Sequence, residues 1–266
     1  MRTVAKALTI LDLFTERRPS LSLTEIARAT GIDTATCHRM LKVLETHGYV
    51  FRSATKHYSL GATVLRLART REITTPMSAT LQSVVDALTA EVAETSHASV
   101  IAGFQVATVA ACEGMRSNRI HVEYGARMEL HATATGHACL AYAEPAFVEH
   151  ALAAPLTRFT PTTITTPQDF RAAIAATRAR GYSIADCSFD ADVVGIGAPF
   201  FGAGGNAMGA IAVASPASRM EAPAVIRTAL AVMSASLDAT MRLGGTAAPD
   251  FLDCHRRLLA QRSQAA

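Results

Sequence analysis

The chain has 266 residues, half of them hydrophobic by type, with 25 Lys and Arg against 22 Asp and Glu and a net charge of +3. That length allows two domains, a small one and a larger one with its own core. No apolar run is long enough to span a bilayer and the N-terminus lacks a positive-then-apolar leader, so a soluble cytoplasmic protein with no membrane partner is expected.

The charge is unevenly spread. Residues 1–75 hold 12 Lys and Arg against 6 Asp and Glu, while the other 191 hold 13 against 16, and all three lysines, Lys6, Lys42 and Lys56, lie in the first 56 positions. A basic head on a slightly acidic body suits a phosphate backbone, where each cation contact releases condensed counterions. Within the head, Ala7, Ile10, Leu11 and Phe14 form a helical stripe. The stretch LTEIARATGIDTATCHRMLKVLETHGYV follows, from Leu23 to Val50. Leu23, Ile26 and Ala27 have the spacing of one amphipathic helix, Gly31 breaks it, and Asp33 or Thr34 can cap a second. In that second helix Cys37, Met40, Leu41 and Leu44 share a face. Thr34, Thr36, His38, Arg39 and Lys42 occupy the other, with Ala35 between the two threonines. Two short helices joined by a Gly-containing turn read as a helix-turn-helix. Gly48 ends the second helix, and 49–52 and 57–60 read as two strands joined at 53–56, a basic hairpin in which Arg52, Lys56 and His57 face phosphates. Thr24, Thr34, Ala35, Thr36, His38, Arg39, Lys42, Arg52, Lys56 and His57 are therefore the candidate DNA contacts.

A connector helix is expected over 62–71, interrupted by Ile73-Thr74-Thr75-Pro76. The next helix carries an apolar stripe of Leu81, Val84, Val85, Leu88 and Val92, either core or a face for a partner subunit. Strands are expected at 97–103, 106–112 and 119–124, then a small-residue helix around 136–143 and another at 145–152. A Thr- and Pro-rich loop over 159–167 leads to a helix at 168–180. Strands at 182–186, 193–201 and 207–215 precede a long helix at 223–241. The body is thus α+β with a mostly antiparallel sheet. The domains are drawn as head 1–61, linker 62–76, body 77–245 and a C-terminal tail, 246–266. The cysteines at 37, 112, 139, 187 and 254 are odd in number and scattered, implying neither disulfides nor a zinc site.

Taken together, ALTILDLF, the helix-turn-helix, YSLGATVLRLA, GARMELHATATGHACLA, TPTTITTPQDFRAAIAATRARGYSIAD and IGAPFFGAGGNAMGAIAVASPASRM resemble, in order and spacing, the IclR-type transcriptional regulators over residues 3–243. The resemblance implies a winged helix-turn-helix, a linker helix and a GAF-like effector domain. It also implies a homodimer or tetramer that binds operator DNA and answers to a small organic acid, often repressing a catabolic operon. Family members use the loop before the helix at Gly136 to offer N–H groups to a ligand carboxylate. Here that segment is His131-Ala132-Thr133-Ala134-Thr135, and a helix N-terminus suits an anion. Where members that bind very small keto acids use an acid, a cysteine and two serines, this chain has Ala185, Gly195, Ala212 and Ala214. Asp186 and Ser188 stand alongside. Loss of polar groups there predicts a roomier, more apolar site for an aromatic or acyl-type carboxylic acid. The family's recognition helix opens with a Lys-Ser-Thr-like run, replaced here by Thr34-Ala35-Thr36, so the operator sequence does not carry over.

An enzyme would need other chemistry. His131, His137 and Cys139 suggest a Cys/His nucleophile pair, yet positions two apart on a helix face different ways. No GxSxG, HExxH or phosphate-cradling loop is present. No catalysis, metal or cofactor is expected.

Overall fold

The computed structural model describes residues 2–15, 18–74, 77–125 and 127–265. It divides into two compact units, 1–76 and 77–266, each with its own hydrophobic cluster.

The first unit is a three-helix core with a three-stranded sheet. Its order is α1 (Arg2–Leu11), β1 (Ser20–Ser22), α2 (Leu23–Thr30), α3 (Thr34–Thr46), β2 (Val50–Arg52), β3 (His57–Leu60) and α4 (Ala62–Thr74). Local signals set the helix edges. Ser22 and Glu25 form a capping box, in which the Ser22 N–H donates to Glu25 Oε2 at 2.8 Å and the Glu25 N–H donates to Ser22 Oγ at 3.3 Å. Gly31, at φ 66°, closes α2 in the left-handed conformation, where a side chain would be strained. Asp33 caps α3 by accepting the Thr36 N–H at 2.9 Å. Ile10, Ile26, Cys37, Leu41 and Tyr58 are sealed in the middle. The edge strand β1 pairs antiparallel with β3 and was not foreseen. The helix read as ending at 71 runs to Thr74, and residues 75 and 76 of the expected interruption lie outside the described residues.

The second unit is a six-stranded antiparallel sheet in the order β6-β5-β4-β9-β8-β7. Its strands are β4 (Thr95–Ala102), β5 (Gln105–Cys112), β6 (Arg127–Met128), β7 (Ser183–Asp186), β8 (Val193–Phe201) and β9 (Ala207–Pro216). Two helices, α5 (Ser78–Val92) and α9 (Ala222–Arg242), pack with the sheet residues Ala98, Val100, Val194, Ile196, Ile211 and Val213 into one apolar cluster. In α5, Leu81, Val84, Val85 and Leu88 are at most 2% exposed. That stripe, offered above as a pairing face, is consumed by the molecule's own core, where each such side chain contributes about 1.5–3 kcal/mol. α9 is long and apolar enough to cross a membrane, but half of that apolar window is buried within the unit. The other side of the sheet carries α6 (Ala134–Ala141), flanked by α7 (Pro145–Ala153) and α8 (Pro167–Arg180).

Two expectations fail here. Residues 119–124 form no strand. That segment is tied down by single bonds instead: Thr95 Oγ1 donates to the Ile120 carbonyl at 2.6 Å, and Arg119 bonds Glu113 Oε2. The supposed tail holds α10 (Pro249–Ala265), with Phe251, Cys254 and Leu258 buried in the second unit's core. Its Asp250 pairs with Arg178 of α8 at 2.8 Å.

Candidate DNA-reading face and effector site

α3 has one buried side and one exposed side. Cys37 and Leu41 are fully buried, whereas Thr34, Ala35, His38, Arg39 and Lys42 are exposed and Thr36 is half-buried. Arg39 Nη2 donates to Thr36 Oγ1 at 3.2 Å, a contact that holds the guanidinium over the start of the helix. The Thr36 N–H keeps the Asp33 carboxyl below its ordinary range, so the cap is charged and seated. On the hairpin, Ser53 and His57 close a turn in which Lys56 takes a left-handed φ of 65°, and Lys56 and His57 are exposed at its tip. Arg52 lies over the Tyr58 ring, 5.5 Å from its centroid, and stays exposed. Thr24 is exposed near the start of α2. The first unit thus brings all ten candidate DNA contacts to its surface.

α6 is the opposite case, because all eight of its residues are buried. Its start is held by side chains that occupy carbonyls of its first residue and of the turn before it. His137 Nε2 bonds the His131 carbonyl at 2.8 Å, and Ser188 Oγ donates to the Ala132 carbonyl at 3.0 Å. Ser183 Oγ donates to the Ala134 carbonyl at 2.6 Å. Thr133 caps the helix: its Oγ1 accepts the Gly136 N–H at 3.2 Å, and its carbonyl accepts the His137 N–H at 3.0 Å. The N–H groups of Ala134 and Thr135 bond no partner among the described residues, so the helix offers two fixed donors and its positive end. Because their carbonyls are committed elsewhere, these donors are preorganised. Gly136 is required by close approach, as a Cβ there would lie 2.2 Å from the Leu130 carbonyl oxygen.

The strand register decides which residues share this side. Ala185 pairs with Gly195 and Gly195 with Ala214; Gly197 pairs with Ala212 and Ala212 with His97. Opposed residues point to the same face, so Gly195, Ala212 and Ala214 lie together on the face that α6 covers. The vacancy expected at Gly195 is occupied, since a Cβ there would sit 3.1 Å from the Ala134 methyl group. The hollow at Gly195 is therefore filled by Ala134, and Ala212 and Ala214 are the small side chains beside it on the same face. Asp186 is exposed and pairs with Val194, whose side chain belongs to the opposite face. Alternation along β7 removes Asp186 from the constellation. Ser188 stays, as a clamp on the Ala132 carbonyl.

His97 went unnoticed in the sequence. It is 6% exposed, stands next to Ala212, and its Nδ1 has no hydrogen-bond partner among the described residues. Burial draws its pKa down to about 4, leaving a neutral ring. The available signal was the alternation of Thr95, His97 and Ser99, three polar residues on one strand face that are all buried. Buried polar groups call for partners. Outside α6, the Phe159 ring lies tilted against Phe189 at 4.9 Å and 6.0 Å from the His131 ring. The loop that bears Phe159 is tied to the strand end by Thr160 and Thr163, which donate to the Cys187 and Ser188 carbonyls.

The Cys/His pairing finds no support in this geometry. His137 Nε2 is engaged by a carbonyl, burial holds its pKa near 4, and burial pushes the Cys139 thiol far above the usual range.

Residues 3–53 match the IclR helix-turn-helix domain and residues 73–239 the C-terminal part of the bacterial transcriptional regulator IclR. The regulator BhcR of Paracoccus denitrificans is 30% identical over 222 residues, 83% of this chain and 79% of that protein. An IclR transcriptional regulator from Silicibacter sp. TM1040 is 37% identical with a TM-score of 0.78, over 94% of this chain and 99% of that one. An IclR homologue from Microbacterium hydrocarbonoxydans, solved in complex with 4-hydroxybenzoate, is 21% identical with a TM-score of 0.76, over 91% and 99%. A winged helix-turn-helix with an exposed reading face, a body built around an α6-covered sheet, and matches across both lead to one conclusion: this chain belongs to the IclR family of ligand-responsive DNA-binding transcriptional regulators.

Proposed function

We propose that this protein is a homo-oligomeric repressor of a catabolic operon, cytoplasmic, whose hold on operator DNA is released by a partly apolar carboxylic acid. The observation that carries the effector half is the pair of unpartnered N–H groups at the start of α6, preorganised above a sheet face of small side chains. The carboxylate accepts from Ala134 and Thr135, with Thr133 capping beside them and His131 and Ala132 forming the turn. The apolar part runs along Ala212 and Ala214 towards His97. The 4-hydroxybenzoate held by the Microbacterium protein is of this class. Repression is the simpler polarity, because occupancy of DNA alone suffices for it, whereas activation needs a further contact surface.

On the DNA half, Thr34, Thr36 and Arg39 reach base edges and Arg52, Lys56 and His57 hold phosphates, with Thr24, Ala35, His38 and Lys42 beside them. One head offers a small interface, so two heads on matching half-sites are needed. With the α5 stripe buried, pairing falls to the exposed Val4 and Leu8 of α1 and Leu65 of α4, which are 55–67% exposed. A dimer, or a dimer of dimers, follows.

Fluorescence anisotropy of DNA from upstream of the chain's own gene, with 4-hydroxybenzoate as probe in a panel of aromatic and acyl acids, tests both halves. One or more acids should release the DNA, and Ala212→Phe should bind DNA normally and no longer respond. Release from Ala212→Phe at the wild-type acid concentration would place the pocket elsewhere.

A further inference from the structure

A second concave site lies on the body, away from α6. It is a cleft of about 510 Å³ between the end of α5, the turn at 217–219, the first two turns of α9 and the far end of α10. That volume is ordinary for a small-molecule site. Four arginines line it, Arg116, Arg219, Arg227 and Arg262, against Glu91 and Glu94. Glu94 is spoken for: Arg219 grips it with two bonds, at 2.6 and 2.7 Å, and Arg116 stands 3.4 Å away. Arg227 and Arg262 are exposed and form no ion pair among the described residues. Thr228 also lines the cleft, is 7% exposed, and its hydroxyl bonds no partner among the described residues. α9 (Ala222–Arg242) begins beside this cleft, with no side-chain cap from its N-cap residue Glu221.

We propose that this cleft binds a small phosphorylated metabolite, its phosphate held by Arg227, Arg262 and the Thr228 hydroxyl above the Arg219–Glu94 pair. Two guanidiniums with no ion pair among the described residues, together with the Thr228 hydroxyl, present more donors than the two oxygens of a carboxylate can accept. A phosphate has three terminal oxygens and up to two charges, and guanidinium forks match its geometry. Arg262 comes from α10, which lies beyond residue 239, where the match to the IclR family ends. The completed site is thus a property of this chain's C-terminal helix. It is independent of the α6 site in residues and in place.

Calorimetric titration of the full-length protein with inorganic pyrophosphate, at constant ionic strength, tests this. The expected result is saturable binding at one site per chain, weakened at least tenfold in an Arg227→Ala, Arg262→Ala double variant and unchanged in Ala212→Phe. Both arginines are exposed, so the double variant should melt like wild type, and Arg227→Lys should fall between. No saturable heat, or equal affinity in the double variant, would overturn the proposal. A matching loss of operator affinity in the double variant would assign these arginines to the DNA backbone, and overturn it too.

Discussion

α3 and α6 are both short, both capped by an oxygen-bearing side chain, and put to opposite uses. α3 keeps one side for the core and leaves the other to solvent, so the residues on that exposed side can change at little cost to stability. α6 is buried on every side, with its Ala134 carbonyl claimed by Ser183 and the turn before it held by His137 and Ser188. Changes there cost folding as well as binding. On the function proposed above, a regulator gains from this division, since operator preference can drift while the proposed acid site stays rigid.

The largest effect that would break this contrast is at Gly136. Gly136→Ala puts a methyl group against the Leu130 backbone, which has nowhere to go, and should cost about 3 kcal/mol, read as loss of the body's thermal transition. A wild-type melting curve would show that α6 is looser than described. Acid should also unfold the body selectively. His97 and His137 have folded pKa values of about 4, below the ~6.5 of an unfolded chain. Their neutral forms stabilise the fold fully above pH 6.5, and that contribution is lost as pH falls towards 4, on the order of 3 kcal/mol for each. A His97→Gln, His137→Gln variant should flatten that pH dependence; a curve as steep as wild type would rule out these histidines as its source.

On α3, Arg39→Ala should weaken operator binding by roughly 1–3 kcal/mol and relax sequence preference, with the melting temperature unchanged. Thr133→Ala should cost about 1 kcal/mol of body stability by removing the α6 cap. Smallest is Lys56→Ala, which should weaken all DNA alike and lower the salt slope by about 1. An Arg39→Ala, Lys56→Ala double variant with unaltered operator affinity would sink the assignment of the head.

The sequence made one of these helices far more legible than the other. For α3, Gly31, Asp33 and the Cys37–Leu41 spacing act within a few residues, so its limits and exposed face could be read directly. For α6, the deciding facts are long-range. No pattern shows that Ala134 fills the hollow at Gly195, or that Asp186 turns away with Val194, because both depend on strand register. Periodicity revealed the α5 stripe but not what covers it. Residues 119–124 have alternating Ile120 and Val122, yet their bonds run to single side chains rather than a ladder. α10 went unread although Phe251, Cys254 and Leu258 recur at helical spacing, because the family resemblance stops before it. The orphaned ring of His97 appears only once its strand is placed under α6.

The central claim is that the free N–H pair of α6 receives a carboxylate and that this stabilises the body. The most direct measurement is thermal unfolding of the full chain with a panel of aromatic and acyl acids, each beside its uncharged primary amide. At least one acid should raise the body's melting temperature in a saturable way, with its amide inert and the effect lost in Ala212→Phe. Equal shifts from acid and amide, or no shift from any acid in the panel, would contradict the account.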